Sequence, residues 1–79
     1  MSLPSGQKLM EQLVVDSNIP LAVRVQAIRS QDFRPSLSFL LKVIKDLNTP
    51  PRLKAASVIK YNAERALAEI RRKARGEAA

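Results

Sequence analysis

The sequence predicts an all-α fold of two helical hairpins, with a long basic helix as its last element. Apolar residues recur at helical spacing, prolines and short polar clusters interrupt them, and the last stretch runs without a breaker from Pro50 to Arg75. A chain of 79 residues forms one domain at most, here residues 1–79. The predicted helices cover residues 6–15, 20–30, 35–47 and 50–75, to within a few residues.

The first predicted helix has a single apolar face. Its members follow the spacing i, i+1, i+4, i+5 and are Leu9, Met10, Leu13 and Val14. We expect Ser2 or Ser5 to cap its start. The polar sequence Asp16-Ser17-Asn18 should end it, because short polar residues favour turns.

The second predicted helix begins at a proline. Pro20 suits a first turn, where its missing N–H would have no helical partner. Asn18 or Ser17 offers a capping oxygen. The apolar residues behind it repeat at i, i+4 and i+7, as Leu21, Val25 and Ile28.

The third predicted helix has the widest apolar face, so we expect it at the centre of the core. Pro35 opens it, and Asp32 or Ser36 is its candidate cap. This apolar face consists of Leu37, Leu40, Leu41, Ile44 and Leu47, and it is widened by Phe39 and Val43. Only three residues of the chain are aromatic, so the core should be aliphatic.

The fourth predicted helix is much longer than the others. Thr49 is its expected N-cap, Pro50 and Pro51 fit its first turn, and Gly76 fits a C-terminal cap. At 1.5 Å per residue it is about 37 Å long. We therefore expect its last turns to project beyond the rest of the domain.

Two similar stretches mark the helix boundaries. Residues 16–20 and 46–50 share the frame Asp-x-Asn-x-Pro. A calcium loop needs a glycine and a closing glutamate in register, and neither stretch has them, so a helix boundary is the better interpretation.

An Arg-x-x-Ala frame follows each stretch, beginning at Arg24 and Arg52. Two such copies resemble the repeated hairpin of HEAT-type solenoids, although chance similarity is the alternative.

A second resemblance concerns the end of the third helix and the start of the fourth. The stretch "NTPPRLKAASVI", preceded by "LLKVIKDL", resembles short phage proteins assigned as small terminase subunits. It covers residues 40–63 and is carried by Leu40, Val43, Asp46, Pro50, Pro51, Arg52, Leu53, Ala55 and Ala56. The resemblance implies a DNA-recognition role in viral genome packaging.

Composition argues against catalysis. The chain has no cysteine and no histidine, and its only glycines are Gly6 and Gly76, so it lacks the usual nucleophile–base pairs and a phosphate-binding loop. We expect no enzyme activity, no cofactor and no metal. The N-terminal residues do not read as a signal peptide and no segment is apolar enough to span a bilayer, so we expect a cytoplasmic protein, in the host cytoplasm if viral.

Charge is the main functional clue. The net charge is +7, and residues 52–75 hold eight basic groups against Glu64 and Glu69. We predict nucleic-acid binding, with duplex DNA favoured over RNA. The lack of exposed aromatic residues argues against single-strand stacking as the main mode and leaves double-stranded DNA or structured RNA. The alternative is a basic helix end that is simply solvated. The predicted contacts are Arg52, Lys54, Lys60, Arg65, Arg71, Arg72, Lys73 and Arg75.

The last helix also carries a predicted interface. Ala63, Leu67, Ile70 and Ala74 follow a heptad-like spacing. They predict pairing with another copy or another protein, and packing against the first helix is the alternative. A second functional hypothesis follows: an adaptor or inhibitor whose basic helix docks on an acidic protein. Binding to a membrane surface is disfavoured, because the apolar face lacks Trp and Phe.

Overall fold

The chain folds into four α-helices, as the sequence predicts. The structure is a computed structural model that describes the backbone of residues 3–78 and the side chains of residues 6–76. The helices are α1 (Leu3–Val15), α2 (Leu21–Arg29), α3 (Leu37–Lys45) and α4 (Pro51–Ala78). The described residues contain no strand, so the all-α prediction is confirmed.

Helix α1 begins earlier than predicted. It starts at Leu3, so Ser5 lies inside the helix and is not its cap, and Gly6 is an interior residue. The other expected cap, Ser2, lies outside the described residues. The prediction missed this turn because its apolar spacing only begins at Leu9.

The two Asp-x-Asn-x-Pro stretches form the same turn. In the first, the Asn18 amide donates to the Asp16 carboxylate at 2.9 Å, and in the second the Asn48 amide donates to Asp46 at 2.9 Å. In both, the amide of the next residue donates to the backbone carbonyl of the aspartate at 3.1 Å. Such Asx turns end one helix and redirect the chain. The helix-boundary interpretation is confirmed.

The expected caps of α2 and α4 were wrong. No side chain caps α2, whose N-cap residue is Pro20, so neither Asn18 nor Ser17 has that role. The Thr49 hydroxyl donates backwards, to the Val43 carbonyl at 2.7 Å. It therefore satisfies the end of α3, where carbonyls lack helical partners, instead of the start of α4.

Helix α3 is shorter than predicted. Ser36 caps it, since its hydroxyl accepts from the Phe39 amide at 3.1 Å. The helix ends at Lys45, and Leu47 lies beyond it with 93% of its surface exposed. The assignment of Leu47 to the apolar face of the third helix was therefore wrong, because the turn at Asp46 ends the helix before Leu47.

The largest fully buried side chain of the core belongs to the α2–α3 connection. Phe33 is fully buried and is the largest such side chain, and its ring meets Phe39 edge-on with 6.2 Å between centroids. The expectation of a purely aliphatic core was wrong in this respect. The other buried members of the cluster are Val14, Ala27, Ile28, Leu40, Leu53 and Ala56.

The helices pack in the order α1 on α2, α2 on α4, and α4 on α3. A groove of about 550 Å³ lies between α1 and α3. Gln7 ties α1 to the connection before α3, because its side chain donates to the Asp32 carbonyl at 3.1 Å and accepts from the Arg34 amide at 2.9 Å. This order makes α4 the element that joins both hairpins.

Helix α4 continues through its expected C-terminal cap. It has 28 residues, about 42 Å at the usual rise. Gly76 lies within the helix without a positive φ, so its assignment as a cap was wrong. The longest dimension of the molecule is 47 Å, which the length of this one helix nearly accounts for.

Candidate nucleic-acid interface

The first half of α4 belongs to the core. Leu53, Ala56 and Ser57 are buried there, and Tyr61 packs against the same cluster. The buried Ser57 hydroxyl donates to the Leu53 carbonyl at 2.8 Å, so it costs little to bury. This packing fixes the direction in which the second half of the helix leaves the body.

An ion pair marks the end of the body. Both nitrogens on one edge of the Arg34 guanidinium reach the Glu64 carboxylate, at 3.0 and 3.3 Å. The Glu64 side chain is only 14% exposed. Because a bidentate pair holds both groups in one geometry, it anchors α4 to the α2–α3 connection. It also neutralises one of the two acidic groups in residues 52–75.

Lys60 lies on the body side of this pair. Its ammonium donates to the Ser30 carbonyl at 2.8 Å, at the C-terminal end of α2. Burial lowers the pKa of Lys60 from its ordinary value of 10.5, Glu64 offsets part of that shift, and Arg34 adds to it. A cation at a helix C-terminus satisfies free carbonyls. Lys60 is thus already engaged inside the protein.

Residues 65–76 form what we call the overhang. Every one of them is exposed, whereas the preceding part of α4 alternates between buried and exposed positions. The expected projection of the last turns is therefore present. At 1.5 Å per residue the overhang is about 18 Å long.

The overhang brings together the densest group of predicted contacts. At about 100° per residue, four arginines fall on one side of the helix. We call this side the basic face: Arg65, Arg71, Arg72 and Arg75. Lys73 is exposed but lies away from this face. The single acidic residue of the overhang, Glu69, pairs with Arg72.

The remaining predicted contacts lie elsewhere. Arg52 is exposed and Lys54 is half-buried, both in the first turn of α4. From Arg52 to Arg71 the helix rises about 28 Å. The structure therefore does not bring these two residues into the group on the overhang.

The predicted interface residues are all exposed. Ala63, Leu67, Ile70 and Ala74 lie along α4, with Leu67 39% exposed and Ile70 63% exposed. The alternative in which they pack against α1 was wrong, because all four positions are exposed. The apolar side of the overhang is thus open.

Sequence reasoning missed the role of Arg24. Its side chain is buried, and it donates to the Ile19 carbonyl at 3.1 Å and the Val14 carbonyl at 3.5 Å. It thereby satisfies the end of α1 from the floor of the α1–α3 groove. Arg52, aligned with it in the repeat, is exposed, and the neighbouring Leu53 is buried. An arginine placed between two valines, Val23 and Val25, was the available signal.

Comparison with known proteins adds no assignment. No family model, no curated protein and no solved structure matches the chain. Among the described residues, none of the helices has the length and apolar character needed to cross a membrane. Functional inference therefore depends on the geometry of the overhang.

Proposed function

We propose that this protein binds duplex nucleic acid, with DNA favoured, through the basic face of the overhang. The observation that carries the proposal is the projection of residues 65–76 into solvent, with four arginines on one side. A dense cationic face gains affinity by displacing the counterions that surround phosphates. No enzymatic step is part of this proposal.

The chemistry of the face suits phosphate. Arginine presents a rigid fork of donors that matches phosphate oxygens, and it stays charged at all working pH values. With its side chains, an α-helix is about 10–12 Å across, close to the width of the DNA major groove of about 12 Å. A projecting helix can thus approach a duplex without interference from the body.

Single strands suit the face less well. They are usually bound by aromatic side chains that stack on the bases. Phe33 is buried, and Phe39 and Tyr61 are partly buried against the core. The overhang itself contains no aromatic residue. This distribution favours a duplex contacted mainly at its backbone.

A role in viral genome packaging rests on the resemblance to small terminase subunits alone. In the structure, residues 40–63 form the end of α3, the second Asx turn and the first half of α4. Three residues that carry the resemblance, Leu40, Leu53 and Ala56, belong to the core. Core packing therefore accounts for these three residues, and the packaging role has no support besides the resemblance.

A second candidate function is docking on an acidic protein. The observation that favours it is the exposed apolar side of α4, where Ile59 is 71% exposed and Ile70 is 63% exposed. Affinity from such a surface depends on apolar burial and persists at high salt, whereas phosphate binding weakens. Replacing Leu67 and Ile70 by Glu would then weaken binding more than loss of the basic face.

A duplex titration tests the first proposal. The test variant carries Arg71→Gln, Arg72→Gln and Arg75→Gln. Fluorescence anisotropy with a labelled duplex of arbitrary sequence should show strong loss of binding at low salt. The slope of log affinity against log salt should fall by about 3, one unit for each phosphate contact removed.

A matched variant controls for net charge. Lys8, Lys42 and Lys45 are exposed residues of the body, and replacing all three by Gln removes the same charge. Circular dichroism melts of both variants confirm that they remain folded. The control should bind nearly as tightly as the original protein. Equal losses in the two variants would overturn the proposal, because general attraction by net charge would then suffice.

A further inference from the structure

The exposed apolar side of α4 is longer than the predicted interface. It begins within the body and continues to the end of the overhang. We call it the apolar stripe: Ile59, Ala63, Ala66, Leu67, Ile70 and Ala74, all of them exposed. Its three large members are Ile59, Ile70 and Leu67, which are 71%, 63% and 39% exposed.

The stripe and the basic face lie on opposite sides of α4. With about 100° between successive residues, the stripe covers about 100° of arc and its centre lies nearly opposite that of the basic face. One ligand on the basic face and one partner on the stripe can therefore bind at the same time. The two surfaces also respond to separate substitutions.

We propose that the stripe pairs with the same stripe of a second copy, with the two α4 helices antiparallel. A two-fold axis between Ala66 and Leu67 makes the surface complementary to itself. Each bulky residue then faces an alanine of the other copy. The pairs are Ile59 with the partner's Ala74, Ala63 with the partner's Ile70, and Ala66 with the partner's Leu67. Self-complementarity of this kind is what a two-fold interface requires.

Charge selects the antiparallel arrangement. A parallel pair would place the Arg71, Arg72 and Arg75 clusters of the two copies side by side, where like charges repel. The antiparallel pair moves these clusters to opposite ends. It also leaves both basic faces pointing away from the shared axis, so the dimer presents two of them.

The body provides a place for the end of the partner helix. A groove of about 230 Å³ runs beside the stripe where α2 meets α4, lined by Ile28, Arg29, Ala56, Ile59, Lys60 and Ala63. In the proposed register the partner's Ile70 reaches this groove. Arg29 and Lys60 are unfavourable neighbours, because the partner's overhang is basic. Added salt screens that repulsion, so the dimer should tighten as salt rises.

The expected affinity is modest. Pairing covers residues 59–74, about 24 Å of helix. One such helix pair buries less than the roughly 1,600 Å² of a standard interface. We therefore expect a dissociation constant in the micromolar range, about 1–100 μM, instead of a permanent dimer.

Single cysteines test the register directly, since the chain has no cysteine of its own. Ala66→Cys places two thiols beside the proposed axis, within reach of a disulfide. Ala74→Cys is the matched control, because its counterpart is then about 22 Å away along the axis. Under mild oxidation the first variant should form a covalent dimer at least tenfold faster. Equal rates, or a faster reaction of Ala74→Cys, would overturn the antiparallel register.

A size swap tests the pairing without a crosslink. Ile70→Ala leaves two small residues opposed and should weaken the dimer about tenfold in sedimentation equilibrium. Adding Ala63→Ile restores one large residue to each pair and should recover most of the loss. A double variant as weak as Ile70→Ala, or a monomer at several hundred micromolar, would overturn the proposal. These runs are made without nucleic acid, so their outcome is independent of the proposed function.

Discussion

Replacing Phe33 by alanine should remove a large part of the stability of this protein. Its ring is fully buried, and it packs edge-on against Phe39 at 6.2 Å. Loss of a buried phenylalanine costs about 3–5 kcal/mol, from the lost transfer energy and the cavity that remains. A chain of 79 residues has a total stability of about 4–12 kcal/mol at the usual 0.05–0.15 kcal/mol per residue.

Urea unfolding followed by circular dichroism measures the effect. The control is Leu47→Ala, which removes a leucine that is 93% exposed and should change the free energy of unfolding by less than about 0.5 kcal/mol. A Phe33→Ala variant that is already unfolded without urea agrees with the expectation. A cost below about 1 kcal/mol for Phe33→Ala, or an equal cost for both variants, would refute the burial of Phe33 in the core.

Three further predictions concern the turns, α1 and Lys60. Asp16→Ala and Asp46→Ala should each lower the free energy of unfolding in urea by about 0.5–1.5 kcal/mol relative to the corresponding Asn variants, because Asn keeps the oxygen that accepts the turn hydrogen bond. A lower free energy at only one of the two sites would contradict the equivalence of the turns. Gly6→Ala should stabilise the protein by about 0.5–1 kcal/mol, because Gly6 is helical and an added Cβ meets nothing within 4 Å; a lower melting temperature would count against this. Folding lowers the pKa of Lys60, so the unfolded chain binds that proton more tightly than the folded chain. The free energy of unfolding, relative to that of Lys60→Met, should therefore rise as the pH increases through the lowered pKa toward 10.5. A fall over that range would contradict the burial of Lys60.

Local signals explain how much of the fold the sequence predicts. Prolines and Asx residues mark helix boundaries through short-range geometry, so the number, order and approximate ends of the helices follow from them. The positions of Phe33 and Leu47 do not follow. Phe33 lies outside any helical pattern and is buried by tertiary packing, while Leu47 matches the helical spacing but falls after the turn that begins at Asp46.

The charged residues show the same contrast between local signals and long-range contacts. The clustering of arginines on the overhang is a property of one helix, and helical spacing is enough to predict it. The engagement of Lys60 depends on the Ser30 carbonyl, thirty residues away in the chain. The burial of Arg24 likewise depends on how α1 packs on α2. Long-range contacts of this kind leave no periodic signal in a single sequence.

The salt dependence of duplex binding tests the central claim most directly. If the four arginines of the basic face each neutralise one phosphate, log affinity should fall with log salt at a slope of about −3.6. Affinity should then drop about 150-fold between 50 and 200 mM salt, and equally for duplexes of unrelated sequence. The absence of detectable binding at 50 mM salt, or an affinity that does not change with salt, would contradict a phosphate-binding role for the overhang.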